Sequence, residues 1–203
     1  MKILLLLLAV LWLAAAVGGV VYLGRFENKP ADANVDYPAI FPAASRIAHD
    51  PERTTLIFFA HPKCPYTRAS LRELAKLMTN LDGKLQASVV FSKPKDTDEG
   101  WTETDLYESA RSIPNVDVII DRDDRETDLF NAQTSGLTLV YDPSGGLQFD
   151  GGITAARGHE GDNAGSSAIY NIVKENAPRA ESPVFGCPIH KKDCLGEPIA
   201  NTQ

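Results

Sequence analysis

The first pattern along the chain is an uncharged apolar stretch from Ile3 to Gly24, opening with an unbroken leucine run from Leu4 to Leu8. Its length matches the roughly 20 residues a helix needs to cross the bilayer core. Ala14-Ala15-Ala16 offers small residues for a signal-peptide cleavage site, which is the competing reading. Apolar residues nevertheless continue through Val17, Val20, Val21, Tyr22 and Leu23 before Arg25 arrives. The pattern therefore predicts an uncleaved transmembrane anchor over residues 1–25.

Residues 26–53 show no sustained period, carry Pro30, Pro38 and Pro42, and read as a linker. From Thr54 the pattern changes. Thr54 to Ala60 is a β-branched and aromatic run that predicts a buried strand. Leu71, Leu74, Ala75, Met78 and Leu81 then recur at helical spacing, with Gly83 as a stop. Leu85 to Phe91 predicts a second strand, Ser92 to Gly100 a polar loop, Thr102 to Ile113 a helix and Val116 to Ile120 a third strand. A short charged helix follows over Asp121 to Ala132. Leu137 to Tyr141 and Leu147 to Ile153 form a hairpin about Asp142-Pro143-Ser144-Gly145-Gly146. Ala168, Ile169, Ile172 and Val173 mark a last amphipathic helix ending near Asn176. The order β-α-β-α-β-α-β-β-α over residues 54–178 implies an α/β three-layer sandwich, mostly parallel, with antiparallel strands at one edge. Residues 179–203 read as an extended tail holding Cys187 and Cys194.

Composition narrows the function classes. At 203 residues, 43% hydrophobic and 23% charged, the chain fits one folded domain with accessory segments. A formal net charge of -7 argues against nucleic acid as a partner, because phosphate recognition needs a basic surface. No phosphate-binding glycine loop, G-x-S-x-G elbow or H-E-x-x-H helix occurs. The acids Asp121, Asp123 and Asp124 read as a charged helix start. Charges flanking the anchor do not settle its orientation. The usual arrangement of such an anchor puts the domain outside the cytoplasmic membrane, in a periplasmic or other extracytoplasmic compartment where disulfides persist.

Cys64 is the leading chemical candidate. It follows the first strand and precedes a helix, with Pro65 where a first helical residue would stand. A cysteine there meets unpaired backbone N–H groups and the positive helix end, both of which favour the thiolate. His61, Lys63 and Arg68 add nearby positive or tunable groups. The alternative is an inert cysteine buried at a strand end.

The segment Phe59-Ala60-His61-Pro62-Lys63-Cys64-Pro65-Tyr66-Thr67-Arg68-Ala69-Ser70-Leu71-Arg72-Glu73-Leu74 resembles the active-site region of the RedB-like proteins, bacterial membrane-anchored relatives of thioredoxin. The resemblance extends to Gly151-Gly152-Ile153-Thr154-Ala155-Ala156-Arg157-Gly158-His159-Glu160-Gly161-Asp162-Asn163-Ala164-Gly165 and to Pro183-Val184-Phe185-Gly186-Cys187-Pro188. It implies a thioredoxin-like fold and a thiol-redox or redox-accessory role, with Cys64 and His61 at the site and a protein thiol or disulfide as partner. The chain also departs from the pattern. Tyr66 stands where a second cysteine of Cys-Pro-Cys would be, and Thr67 where that of C-x-x-C would be. Thr134-Ser135-Gly136-Leu137-Thr138 lacks the proline that thioredoxins place beside the active site. Adjacent-cysteine dithiol chemistry is therefore excluded.

Cys187 and Cys194 remain as partners. Either could return to Cys64 to resolve an intermediate, or the two could form a structural bridge that leaves Cys64 as a thiol. No cofactor is expected on the thiol reading. The alternative is a copper or zinc module built from Cys64 with His159 or His61, and His190 as a further donor, comparable with copper chaperones of the Sco type. Against it, Gly158, Gly161 and Gly165 read as turn residues, with Asp162 or Asn163 capping the last helix. A third reading is a thioredoxin-like scaffold that binds without redox activity.

Overall fold

The computed structural model describes residues 2–32 and 34–190. Helix α1 (Lys2–Glu27) carries no acidic residue in its first turn and buries none of its side chains. It is long and apolar enough to cross a membrane. The remaining elements are β1 (Thr54–Ala60), α2 (Thr67–Asn80), β2 (Leu85–Lys93), α3 (Asp105–Arg111), β3 (Val116–Arg122), α4 (Arg125–Leu129), β4 (Thr138–Tyr141), β5 (Leu147–Gly151), α5 (Ala164–Glu175) and β6 (Ala180–Glu181). One 3-10 turn, Glu99–Thr102, lies ahead of α3.

The strands form one sheet in the order β3-β2-β1-β4-β5-β6. Strands β1, β2 and β3 are parallel, β4 is antiparallel to β1 and to β5, and β6 runs parallel to β5. The alternation on β1 decides the layers, since successive side chains point to opposite faces. Leu56, Phe58 and Ala60 pack with Leu71, Leu74 and Leu77 of α2, Leu106 and Ala110 of α3, and Ile169 and Ile172 of α5. Ile57 and Phe59 face the other way, onto Phe130, Leu137, Leu139, Tyr141, Val184 and Ile189. Both faces of β1 are therefore sealed, which is why its sequence reads as a continuous apolar run.

The second face is covered largely by irregular chain. Ala31, Tyr37, Phe41 and Ile47, within the predicted linker, lie against it. Phe41 stacks edge-on against Phe130 at 5.5 Å and Tyr141 at 5.3 Å. The Tyr141 hydroxyl donates to Pro38 O, and Glu126 accepts from Ser45 Oγ and Arg46 N. Residues 180–189 of the predicted tail lie against the domain too. Pairing of Ala180 and Glu181 with Phe149 and Asp150 adds the sixth strand, and Val184 and Ile189 enter the core.

Element boundaries moved where tertiary contacts outweigh periodicity. Helix α4 spans five residues instead of the predicted twelve, because Asp121 still belongs to β3 and caps the helix. Its carboxylate accepts from the N–H groups of Glu126 and Thr127 and from the Thr127 hydroxyl. Burial pushes the Asp121 carboxyl up, and these three hydrogen bonds pull against that shift. Asp124 and Asp123 carry positive φ values at the intervening turn.

Candidate functional site

Strand β1 ends beneath a short loop whose geometry is set by two backbone turns. Cys64 N donates to His61 O at 3.1 Å, and Thr67 N donates to Cys64 O at 3.2 Å. Helix α2 starts at Thr67, two residues after Pro65, with Tyr66 as its cap residue in a helical conformation. Cys64 thus sits one turn ahead of the helix, not directly against its first regular turn. Its side chain is fully buried.

His61 is buried as well. Its Nδ1 accepts from Lys63 N at 3.1 Å, so the proton of the neutral ring belongs on Nε2. Trp101 meets this ring edge to face, with centroids 5.6 Å apart, and is fixed by donation from its Nε1 to Ser92 O. Lys63 Nζ lies 3.9 Å from the Trp101 ring centroid, a cation–π arrangement. Arg68 forms an ion pair with Asp105. The two cations expected to favour a Cys64 thiolate are therefore engaged with an aromatic face and a carboxylate.

The segment Thr134-Ser135-Gly136 stands where thioredoxins carry their active-site proline, and no cis peptide occurs among the described residues. Ser135 takes over the positioning. Its Oγ accepts from His61 N at 2.9 Å and lies 2.8 Å from Thr67 Oγ1. All three residues are buried. A hydroxyl pair therefore ties the start of α2 to the segment ahead of β4. Neither Ser135 nor Trp101 was singled out by the sequence. The only signals were a tryptophan beside a polar loop and the missing proline itself.

A second chain segment closes over this network. Ser135 N donates to Cys187 O at 2.8 Å, and Ile189 N to Gln133 O at 2.9 Å. Thr134 pairs with Pro188 in an antiparallel bridge. Gly186 permits the approach, because a Cβ there would collide with the Ser135 carbonyl oxygen. Cys187 is buried. The strap is held at its far end where His190 Nδ1 comes within 3.6 Å of Asp124, which itself accepts from Ser92 Oγ at 2.6 Å. The Asp124 carboxylate raises the His190 pKa above its usual value, against partial burial. Cys194 lies outside the described residues.

His159 is on the opposite flank of the Cys64 loop. Its own loop follows β5 and reaches α2 through Arg72–Glu160 at 2.6 Å and through donation from Gly161 N to Glu73 Oε1 at 2.8 Å. Gly158 lies against the Tyr66 ring. His159 is exposed, and its Nδ1 donates to Arg157 O. Cys64, by contrast, is buried. Among the described residues no three His, Cys, Asp or Glu side chains converge as a metal site. Of the two predicted caps, Asn163 serves α5, its Oδ1 accepting from Ser166 N at 2.8 Å.

No family model matches the sequence, and no curated protein matches it. Solved structures do match. A hypothetical protein from Sinorhizobium meliloti 1021 superposes with a TM-score of 0.61 at 16% identity, covering 81% of this chain and 98% of that one. An uncharacterized conserved protein from Geobacillus kaustophilus gives 0.59 at 15% identity, covering 82% and 92%. A secreted Mycobacterium tuberculosis disulfide oxidoreductase homologous to E. coli DsbE gives 0.44 at 12% identity, covering 63% and 84%. The parallel β1-β2 pair, the antiparallel β4-β5 hairpin and the cysteine loop between β1 and α2 define a thioredoxin-like α/β domain. It is preceded by an apolar helix of membrane-spanning length.

Proposed function

We propose that this chain is a membrane-tethered thiol-redox or redox-accessory protein of RedB-like type, with its domain on the outer face of the cytoplasmic membrane. Cys64 is the reacting group, and a protein thiol or disulfide is its partner. One observation carries this reading: Cys64 closes the turn between β1 and α2 beside a buried hydrogen-bonded set formed by His61, Ser135 and Thr67.

Each part of the loop has a defined task on this reading. The backbone turns fix Cys64 one turn ahead of α2, at the end of the helix whose partial positive charge favours a thiolate. His61 uses Nδ1 as an acceptor, which places the proton of the neutral ring on Nε2. Ser135 and Trp101 hold the His61 main chain and ring. The thiolate attacks one sulfur of a disulfide, and the other sulfur leaves as a thiolate, giving a mixed disulfide. With Thr67 in place of a neighbouring cysteine, resolution must come from the partner or from a distant cysteine.

The test is to treat the full chain, in detergent or nanodiscs, with glutathione disulfide and map the products by peptide mass spectrometry. A Cys64–glutathione adduct, absent in Cys64→Ser, is the expected result. An unmodified Cys64 in folded protein, under conditions that modify it after denaturation, would leave the scaffold reading in front.

A further inference from the structure

We propose that Cys187 is the resolving cysteine of this site, carried on a strap, residues 183–189, that closes over the Cys64 loop. The inference rests on the thiol reading above and names the group that completes it.

The geometry starts from the antiparallel register. Thr134 pairs with Pro188, which puts Cys187 opposite Ser135, joined by the Ser135 N to Cys187 O hydrogen bond. Cys187 is thereby held against the residue whose hydroxyl reaches His61 N and Thr67 Oγ1. Those two residues precede and follow Cys64 by three positions and are tied to it by the two backbone turns.

The strap is seated by more than one contact. Ala31 N donates to Val184 O, Ile189 N to Gln133 O, and Ser182 Oγ to Gly152 O at 2.6 Å. Gly152 and Gly186 each lie where a Cβ would strike the facing backbone, of Pro183 and of Ser135 respectively. Cys64 and Cys187 are 0% and 2% exposed, so a protein substrate reaches Cys64 only after this region opens, and on the proposal the strap is the part that lifts. Its return then brings Cys187 back to the same site.

The chemistry balances. The Cys64 thiolate attacks a partner protein disulfide; that S–S bond breaks and one partner sulfur leaves as a thiolate. The Cys187 thiolate attacks Cys64 Sγ, the bond between Cys64 and the partner breaks, and the second partner sulfur leaves. The partner gains two electrons and, with the two protons given up by Cys64 and Cys187, departs as a dithiol. The chain ends with a Cys64–Cys187 disulfide, which an external dithiol reductant must reduce to complete the cycle.

The full chain, Cys187→Ser, Cys187→Ala and Cys194→Ser are each treated with glutathione disulfide, quenched by alkylation at intervals and mapped by peptide mass spectrometry. A Cys64–Cys187 cross-link should form in the parent and in Cys194→Ser. In both Cys187 variants the Cys64–glutathione adduct should persist at least about tenfold longer than in the parent. Agreement between the Ser and Ala variants guards against a folding defect. A Cys64–Cys194 or Cys187–Cys194 link as the main product overturns the assignment, as does an adduct whose lifetime ignores Cys187. Either result leaves Cys64 reactive and the broader reading intact. Absence of any Cys64 adduct in every variant defeats both.

Discussion

The hydroxyls of Thr67 and Ser135 lie 2.8 Å apart in the space that separates a thioredoxin-like cysteine loop from the strand opposite it. Ser135 serves two partners and Thr67 serves one through this network, so their removal should not be equivalent. Ser135→Ala deprives the His61 N–H of its acceptor inside a buried site, and unsatisfied buried donors cost about 1–3 kcal/mol. Thr67→Val keeps the shape and leaves Ser135 bonded to His61, so about 1 kcal/mol is expected. Denaturant unfolding of both variants and of the double variant measures this. A larger loss in Thr67→Val than in Ser135→Ala would contradict the network.

Gly186 is the tightest point of the strap. Its Cβ would overlap the Ser135 carbonyl oxygen, which is backbone and cannot rotate away. Gly186→Ala should therefore lift the strap or strain the loop, at a cost of about 1–3 kcal/mol, and should speed alkylation of Cys64. Gly100→Ala is the comparison, since a Cβ there meets only side-chain atoms at ordinary distances. Equal Cys64 reactivity in both variants would mean that the strap does not shield the site.

How far was this site legible in the sequence? The order of strands and helices was, because β1 carries the apolar run Leu56 to Ala60, β2 carries Val89-Val90-Phe91 and α2 keeps a clean helical period. The position of Cys64 between the first strand and the helix after it was legible too. The role of residues 26–53 and 180–189 was not. Phe41, Tyr37 and Val184 are isolated apolar residues in proline-containing polar text, and only the tertiary structure shows that each fills the second face of the sheet. Ser135 was equally silent, since one hydroxyl in a Thr-Ser-Gly turn looks like any other until His61 and Thr67 are brought to it. Cys187 was visible as a cysteine, but its register against Ser135 depends on a long-range bridge that no local pattern encodes.

The end of the strap should respond to pH through His190. Its pKa is raised by Asp124, with Asp128 adding to the same field. A histidine whose folded value lies above its unfolded value adds stability that is complete below the ordinary value near 6.5. That contribution disappears as pH rises through the raised folded value. Hydrogen exchange at Ile189 and Ser135, corrected for intrinsic rates, should therefore show protection that weakens as pH rises above the ordinary histidine value of 6.5. His190→Ala and Asp124→Asn should each flatten the profile. An unchanged profile in His190→Ala would assign the pH response elsewhere.

Arg157 links the apolar helix to the cysteine loop. Its backbone N donates to Glu27 O at 3.1 Å, its Nη1 donates to Phe26 O at 2.6 Å, and its guanidinium lies 4.8 Å from the Phe26 ring and 5.9 Å from that of Tyr66. The last carbonyls of a helix lack intrahelical donors, and a cation there also opposes the negative end of the dipole. Arg157→Ala should therefore fray the end of α1 without unfolding the domain, because the contact is exposed and worth about 0.3–1 kcal/mol. In nanodiscs, tryptic cleavage after Arg25, in the last turn of α1, should accelerate by about two- to fivefold, the factor that such an energy implies for local opening. Arg157→Lys should fall between parent and alanine variant, since an ammonium keeps the charge but loses the planar fork that spans Phe26 and Tyr66. Cleavage at the parental rate in Arg157→Ala would show that the helix end is held by the Ala31 to Val184 contact instead, and that the apolar helix and the cysteine loop are mechanically independent.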